Sequence, residues 1–334
     1  MATIYDVCRE AGVSMATVSR VINGSERVRP KTRERVVSVM EQLGYKPSHI
    51  AQSLASKFTN SIGIQVSELT GSFYGPMMSG IDEELHKANK QGLITSGRSS
   101  EEREKHGIES LISRQCDALI LHVEAVSDEY LLELSKRNVP FVLLNRYIEE
   151  IADQCIVLDD LHGGYIATKS QIELGHTDIA YISGPLWKGD AIQRLNGHKK
   201  ALKEHGISFD EDLCFEGDYF KESGIAAVES LLSKGKHFSA VVCGNDEMAA
   251  GAIVTLRNAG LSVPRDISIV GYDDIDVANY LYPRLTTVKY PLKEMASMAA
   301  RWVLKNVYNQ DVRLENKFVP DLIHRDSCSE RKVH

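Results

Sequence analysis

The hydrophobic positions in the first 24 residues repeat with a helical period. The hydrophobic residues of a first predicted helix are spaced i, i+3, i+4 and i+7: Ile4, Val7, Cys8 and Ala11. Gly12 predicts the end of that helix, and Ser14 predicts the N-cap of a second helix. The apolar residues of the second helix are Val18, Val21 and Ile22. Two short helices joined by a tight turn are typical of a helix-turn-helix unit.

The opposite face of the second helix carries short polar or apolar side chains and one arginine. Its residues are Met15, Ala16, Thr17, Ser19, Arg20 and Asn23. Side chains of these types contact base edges, thymine methyl groups and phosphates in the DNA major groove. A plain helical hairpin that binds no nucleic acid has the same pattern, so the residues alone leave that alternative open.

Two further helices are predicted before residue 60. Apolar residues within 31–43 mark a third amphipathic helix, which Gly44 ends. Residues 48–57 predict a helix too short to be stable alone, so we expect it to form only against DNA or a second copy of the chain; a flexible linker is the alternative. These patterns divide the chain into a headpiece, a hinge and a larger body, over residues 1–47, 48–60 and 61–334.

From Ser61 onward, short apolar strands alternate with amphipathic helices. A first set of strands covers residues 62–66, 93–95, 118–123 and 141–144. A second set covers residues 156–158, 179–182, 213–215, 240–243 and 267–272. Such alternation is typical of parallel sheets covered by helices on both faces. The two sets predict a two-lobed α/β body, with a ligand cleft at the carboxyl ends of the strands.

The charge is divided unevenly along the chain. Residues 1–58 carry nine Lys and Arg against five Asp and Glu, a net charge of +4, whereas the remaining residues carry −11. The phosphate backbone of a nucleic acid therefore attracts the headpiece and repels the body.

The composition is that of a globular protein large enough for more than one core: 334 residues, 43% hydrophobic and 25% charged. There is no run of about 18 apolar residues and no basic-then-apolar leader, which predicts a cytoplasmic location and no membrane partner. The six cysteines stand singly and without zinc-ligand spacing, so we expect reduced thiols and no metal site.

No pattern typical of an enzyme occurs. Residues 184–189, Gly-Pro-Leu-Trp-Lys-Gly, approach a phosphate-binding loop, but Asp190 and Ala191 follow where such a loop has Lys and then Ser or Thr. A nucleophile elbow, a His-Glu-x-x-His helix and a dinucleotide fingerprint are also lacking. We therefore expect a binding protein that is not an enzyme and needs no cofactor. An exported sugar carrier and a regulator controlled by a protein partner remain alternatives.

Short blocks of sequence follow one another in a highly specific order and spacing. They cover residues 3–7, 11–14, 16–23, 175–176, 245–252, 269–274, 283–287 and 325–327. In this order the blocks resemble the lactose/galactose repressor (LacI/GalR) family of bacterial transcription regulators. The resemblance implies an all-α helix-turn-helix headpiece on a two-lobed, periplasmic-binding-protein-like α/β body with parallel sheets. It also implies a homodimer that represses transcription at a near-palindromic operator, and a small molecule between the lobes that changes operator affinity.

The resemblance implies a set of DNA-binding residues at matching positions. They are Thr3, Ser14, Met15, Ala16, Thr17, Ser19, Arg20, Asn23 and Leu54. Met15 and Ala16 correspond to the pair that reads bases, and Leu54 to a side chain wedged into the minor groove at the operator centre. Packing between two hinge helices is the alternative for Leu54. Met15 is longer than the branched residue common at its position, so the bases it reads stay open.

The implied effector-binding residues follow strands of both lobes. They are Phe73, Tyr74, Asn145, Arg146, Asp160, Arg194, Asn245, Asp246 and Asp273. Carboxylates and amides bind sugar hydroxyls, an arginine donates in a fixed fork, and an aromatic ring covers the apolar face of a pyranose. Alternatively, Arg194 and Asp273 form a structural ion pair, and Asp246 caps the helix that begins at Glu247.

The effector is inferred from three further stretches. Residues 116–122, 144–146 and 155–160 look more like family members that respond to galactose and related glycosides than like those that respond to purines. Galactose or a glycoside with a similar hexose is therefore the expected effector, and a purine or another metabolite is the alternative.

Overall fold

The computed structural model describes residues 2–22, 25, 27–46 and 58–331. The chain forms two compact units, Met1–Asn60 and Ser61–His334. Asn23, Leu54 and the helix predicted over residues 48–57 lie outside the described residues.

The N-terminal unit contains three helices in its described residues: α1 (Ile4–Ala11), α2 (Met15–Ile22) and α3 (Pro30–Gln42). Gly12 ends α1 in the left-handed conformation, with φ of 60°. The side chains predicted to face inward pack around Val7, Val18 and Val36, which are fully buried. The helical periodicity therefore predicted this unit correctly.

The described residues of the body form twelve strands and nine α-helices. The strands are β1 (Ser61–Val66), β2 (Gln91–Ser96), β3 (Ala118–Leu121), β4 (Phe141–Leu144), β5 (Cys155–Leu158), β6 (Ile179–Ser183), β7 (Cys214–Glu216), β8 (Ala240–Cys243), β9 (Ser268–Asp273), β10 (Thr286–Lys289), β11 (Lys317–Phe318) and β12 (Asp321–Ile323). The helices are α4 (Tyr74–Lys87), α5 (Glu101–Ser113), α6 (Asp128–Ser135), α7 (Asp160–Glu173), α8 (Gly189–Glu204), α9 (Lys221–Ser233), α10 (Asp246–Asn258), α11 (Asp276–Tyr280) and α12 (Leu292–Tyr308).

Two six-stranded sheets define two lobes. The first sheet has the strand order β11-β5-β4-β3-β1-β2, and the second has the order β12-β10-β9-β8-β6-β7. Neighbouring strands are parallel, except that β12 is antiparallel to β10. Strands β3, β4 and β8 are buried along their whole length, as apolar runs in parallel sheets require. The two-lobed α/β architecture is therefore the predicted one.

Strand β5 belongs to the first lobe, which corrects our placement of residues 156–158 in the second set. Cys155 and Ile156 pair with Leu143 and Leu144 of β4 in parallel register. The segment between the two strands contains no long helix. It instead contains a short 3-10 helix, Glu149–Gln154, which returns the chain to the same sheet.

The chain passes between the lobes three times. It enters the second lobe between β5 and α7, returns between β10 and α12, and crosses again between β11 and β12. We assigned no elements after residue 272 from the sequence pattern, and β11 and β12 are too short for a period to be recognised. Helix α12 does carry a helical signal, because Met295, Ala299 and Val303 are buried at helical spacing.

Three features of the described residues bear on membrane spans, cysteines and metal sites. None of the described helices combines the length and apolar character that crossing a membrane requires. All six cysteines are free thiols. The described residues contain no group of His, Cys, Asp and Glu side chains placed to hold a metal ion.

Candidate functional site

The outward face of α2 is accessible in the N-terminal unit. Met15 is 46% exposed, and Ala16 and Arg20 are exposed beside it. Thr17 and Ser19 are half-buried at the edge of this face. The helix therefore presents an apolar pair at its start and a guanidinium one turn later, which suits contact with base edges and phosphates.

Thr3 and Ser14 each stand at the start of a helix. Thr3 Oγ1 accepts from the Asp6 backbone N–H at 3.4 Å, and the Thr3 backbone N–H donates to the Asp6 carboxylate at 2.9 Å. Ser14 Oγ accepts from the Thr17 backbone N–H at 3.3 Å. Both hydroxyls thus stabilise helix starts, and any contact they make with DNA is additional to that role.

A surface depression of about 290 Å³ lies beside the outward face of α2. Four arginines line it: Arg20, Arg27, Arg29 and Arg35. Arg33, in contrast, donates to the Ser25 carbonyl at 2.6 Å. We counted these arginines in the charge of the headpiece but named only Arg20 as a contact. Four guanidinium groups around one depression suit the phosphate backbone of a duplex.

Arg194, on α8, is the centre of a buried polar network in the second lobe. Its Nε donates to Asp160 Oδ1 and its Nη1 to the Gly244 carbonyl, both at 2.8 Å. The guanidinium lies 3.7 Å from the centre of the Tyr272 ring, and Tyr272 Oη donates to the same Asp160 oxygen at 3.1 Å. Because Arg194 is only 3% exposed, these contacts replace its hydration and fix its orientation.

Two further carboxylates face Arg194. Asp273 Oδ1 lies 3.5 Å from its Nη1, and Asp190 Oδ2 lies 3.8 Å from its Nη2. Asp273 Oδ1 is buried without a hydrogen-bond partner among the described residues, and the Asp273 backbone has a strained φ of 105°. Burial raises the pKa of Asp273 to about 7, although the charge of Arg194 acts in the opposite direction. The pair is therefore an ion pair whose carboxylate keeps unused hydrogen-bonding capacity.

Aromatic rings gather at the carboxyl end of the first sheet. The Phe73 ring centre lies 5.2 Å from that of Tyr74 and 5.3 Å from that of Tyr290, and the Tyr74 ring centre lies 5.8 Å from that of His122. Burial lowers the pKa of His122, so its ring is neutral at neutral pH, and its Nδ1 lies 3.1 Å from Ser67 Oγ. The cluster offers apolar ring faces and a neutral imidazole to the cleft.

Tyr290 connects the two halves of the cleft. It lies between β10 and α12, where the chain returns to the first lobe, and its ring centre is 6.0 Å from the Arg194 guanidinium carbon. Its Oη is buried and has no hydrogen-bond partner within the described part of the chain. Through Tyr290 the structure thus connects Phe73 and Tyr74 of the first lobe with Arg194 and its partners Asp160 and Asp273.

Asn245 and Asp246 follow β8 but have structural partners. Asn245 caps α10 by accepting from the Met248 backbone N–H at 3.0 Å, and its Nδ2 donates to the Tyr219 carbonyl at 2.9 Å. Asp246 is not the cap that we considered as its alternative role, because Asn245 takes that position. It is fully buried, and its carboxylate accepts from Thr287 Oγ1 at 2.6 Å and from the Ile275 backbone N–H at 2.9 Å.

Asn145 and Arg146 follow β4 at the same edge of the first sheet. Asn145 has a left-handed φ of 54°, and its Oδ1 accepts from the Leu158 backbone N–H at 3.5 Å. Arg146 donates through Nε and Nη2 to Asp128 Oδ1, at 3.1 and 2.7 Å. The contacts described for these two residues are therefore within the first lobe and do not include Arg194.

The sequence analysis did not name three tyrosines of the cleft. Tyr272 stacks on Arg194, Tyr290 joins the lobes, and Tyr219 Oη donates to Asp190 Oδ2 at 2.8 Å. Tyr272 and Tyr290 stand at the ends of adjacent strands β9 and β10, so their positions would have indicated them. Tyr219 lies in a loop with a φ of 73° and has no comparable signal in the sequence.

Two family models match the chain. The model described as bacterial regulatory proteins, lacI family, matches residues 3–48. The model described as a periplasmic binding protein-like domain matches residues 169–328.

Individual proteins match nearly the whole chain. The HTH-type transcriptional regulator GalR of Escherichia coli strain K12 is 40% identical over 330 residues, 98% of this chain and 96% of the relative. The ribose operon repressor of Haemophilus influenzae Rd is 34% identical over 309 residues, 92% of this chain and 93% of the relative. The crystal structure of the Lac repressor dimer bound to operator and the anti-inducer ONPF is similar with a TM-score of 0.87 and 30% identity, covering 98% of this chain and 99% of that chain.

Proposed function

The chain belongs to the lacI family of bacterial regulatory proteins, and from this premise we propose that it is a repressor controlled by galactose or a related glycoside. Its relatives are DNA-binding transcriptional regulators and not enzymes. In this proposal two copies of the chain bind a near-palindromic operator through α2 and the arginines beside it. The sugar binds between the lobes of the body.

One observation carries the proposal of a sugar effector. The cleft contains a buried hydroxyl, Tyr290 Oη, and a buried carboxylate oxygen, Asp273 Oδ1, that lack hydrogen-bond partners among the described residues. A buried polar atom without a partner costs free energy, which a ligand with vicinal hydroxyls would recover by donating to and accepting from it. The aromatic rings of Phe73 and Tyr74 offer the apolar surface that one face of a pyranose needs.

The charge of the cleft supports a neutral ligand. Three carboxylates, Asp160, Asp190 and Asp273, face one guanidinium, that of Arg194. Even with the Asp273 carboxyl partly protonated near pH 7, Arg194 is already paired and offers no free positive charge to a phosphorylated or carboxylated effector. A neutral sugar donates hydrogen bonds from its hydroxyl groups to these carboxylates without adding charge.

Galactose is the finer part of the proposal. The 40% identity to GalR, against 34% to the ribose operon repressor, supports a hexose of the galactose type over ribose. The alternatives from the sequence are control by a purine, by another metabolite or by a protein partner, and a sugar-binding protein that does not bind DNA.

Sugar and operator are coupled through a free energy in this proposal. A sugar that favours one arrangement of the lobes changes operator affinity by a factor of about 5 to 150, and the operator must change sugar affinity by the same factor. Asp160 and Tyr290 stand at two of the passages between lobes, so groups that contact the ligand also lie where the lobes move relative to each other.

Two measurements on the full chain test the proposal. A thermal-shift panel of galactose, other hexoses, ribose and purines identifies the ligand, because binding to the folded state raises the melting temperature by mass action. Operator titrations with and without that ligand then measure the coupling. A response to purines alone would exclude the sugar, and equal operator affinity with and without the ligand would exclude effector control.

A further inference from the structure

One ion pair joins the two lobes across the cleft. Lys188 Nζ, in the loop before α8 of the second lobe, lies 2.7 Å from Glu124 Oε2, in the loop after β3 of the first lobe. The side chains are 13% and 19% exposed, so water screens the pair less than a surface pair. The other ion pairs found within residues 58–331 lie inside one lobe. Lys188 belongs to residues 184–189, the glycine-flanked loop that resembled a phosphate loop without its chemistry.

Contacts within the first lobe hold Glu124 and its loop in place. The loop of Glu124 is fixed by Glu104, whose buried carboxylate accepts the backbone N–H groups of Glu124, Ala125 and Val126 at 3.0, 2.9 and 2.9 Å. Ser99 Oγ donates to the same Glu124 oxygen at 2.7 Å. Because these contacts already order the carboxylate, less side-chain entropy is lost when the pair forms than for two mobile side chains.

Lys188 is ordered from the other side of the cleft. Its ammonium lies 5.3 Å from the ring centre of Trp187 and 5.4 Å from that of Tyr219, within the range of cation–π attraction. Tyr219 in turn donates to Asp190, which faces Arg194. The pair is thus connected through Tyr219 to the polar network of the cleft.

We propose that Glu124 and Lys188 form an interlobe latch that holds the cleft closed before any effector binds. The latch stabilises the closed arrangement of the lobes relative to an open one by the energy of a partly buried, pre-ordered ion pair. A ligand enters only when the latch opens, so the pair sets the frequency of opening. This inference concerns the free body and holds whatever the effector is.

Hydrogen exchange of the full chain, with neither sugar nor DNA present, tests the latch. Glu124→Gln keeps the acceptor for Ser99 but removes the charge, and Lys188→Met keeps the length of the side chain. We expect each variant to speed the exchange of amides in the two loops that carry the pair, residues 123–126 and 184–189, about five-fold, the effect of an ion pair worth about 1 kcal/mol. The double variant should be no faster than either single one, because one change already breaks the latch.

The matched control is Glu101→Gln. Glu101 pairs with Lys105 at 2.7 Å on the surface of α5, inside the first lobe, so this variant removes an ion pair of equal length that does not join the lobes. Amides of α1, in the other compact unit, serve as an internal reference. Three results would each overturn the latch. Both single variants could exchange at the wild-type rate, or Glu101→Gln could show an equal rise. The third is an additive effect of about 25-fold in the double variant. Failure here would leave operator and sugar binding untouched as proposals, since neither ligand is used.

Discussion

The two candidate sites use arginine in opposite ways. Arg20, Arg29 and Arg35 are exposed around a surface depression, whereas Arg194 is almost fully buried among carboxylates. The exposed guanidinium groups keep their water and counterions until a polyanion displaces them, so their contribution is electrostatic and depends on salt. Arg194 has lost its water and is held by Asp160 and the Gly244 carbonyl. One residue type therefore provides affinity for a duplex in one region and a fixed binding geometry in the other.

The largest expected effect is on the stability of the body. Arg194→Met should lower its free energy of unfolding by about 3–5 kcal/mol, because Asp160 is left as an unpaired buried charge. Urea unfolding followed by tryptophan fluorescence measures this, since Trp187 and Trp302 both lie in the body. Arg20→Met is the control and should change that free energy by less than about 0.5 kcal/mol. Equal midpoints for the two variants would show that burial does not distinguish these arginines.

The second largest expected effect is that of salt concentration, which should weaken operator binding but not sugar binding. If the four arginines of the depression each contact a phosphate, raising salt from about 50 to 200 mM should weaken operator binding about a hundred-fold per chain. Sugar affinity should not change, because a neutral ligand releases no counterions. Gel-shift and calorimetric titrations at the same salt concentrations measure both, and Arg35→Gln should lower the salt slope by about 0.9 per chain. A flat operator response would contradict a phosphate role for this depression.

The pH dependence of sugar binding sharpens the comparison further. The pKa of Asp273 is about 7, so the carboxyl is protonated at pH 6 and ionised at pH 8. A sugar hydroxyl donates more strongly to the ionised form, so sugar affinity should rise with pH over this range, by up to about tenfold per unit below pH 7.

Calorimetry at several pH values measures this rise, and Asp273→Asn should abolish it. The stability of the free body should show the opposite sign. A carboxyl whose pKa is raised in the folded protein contributes its full stability at a pH below its pKa in the unfolded chain. This contribution is lost as the pH rises through the folded pKa of about 7. A sugar affinity that falls with pH would exclude Asp273 as an ionised acceptor.

The smallest effect concerns the start of α1. Thr3→Ala removes the side chain that caps this helix and should destabilise the N-terminal unit by about 1 kcal/mol. Hydrogen exchange of residues 4–11 measures the loss, and sugar affinity should remain that of the wild type. Thr3→Ser keeps the hydroxyl and should restore most of the protection.

The sequence indicated the local elements better than their assembly. The three helices of the N-terminal unit followed from apolar spacing, from Gly12 and from Ser14, because each of these signals acts within a few residues. Strand β5 was assigned to the wrong lobe, because its partner in β4 is recognised only in the sheet. Candidate roles behaved similarly. Arg194 and Asp273 do meet, whereas Asp246, one residue from the helix cap, is taken up by Thr287 and Ile275.

The sequence by itself determined the helix-turn-helix unit, its positive charge, the alternation of strands and helices, and the family. These properties depend on composition, on short-range periodicity and on blocks of adjacent residues. Only the tertiary structure decided which of the polar side chains share a cleft, that Tyr290 and Asp273 each hold a buried atom without a partner, and that Glu124 meets Lys188. The physical reason is that burial and hydrogen bonding between distant residues depend on three passages of the chain between two lobes, and no local pattern encodes these passages.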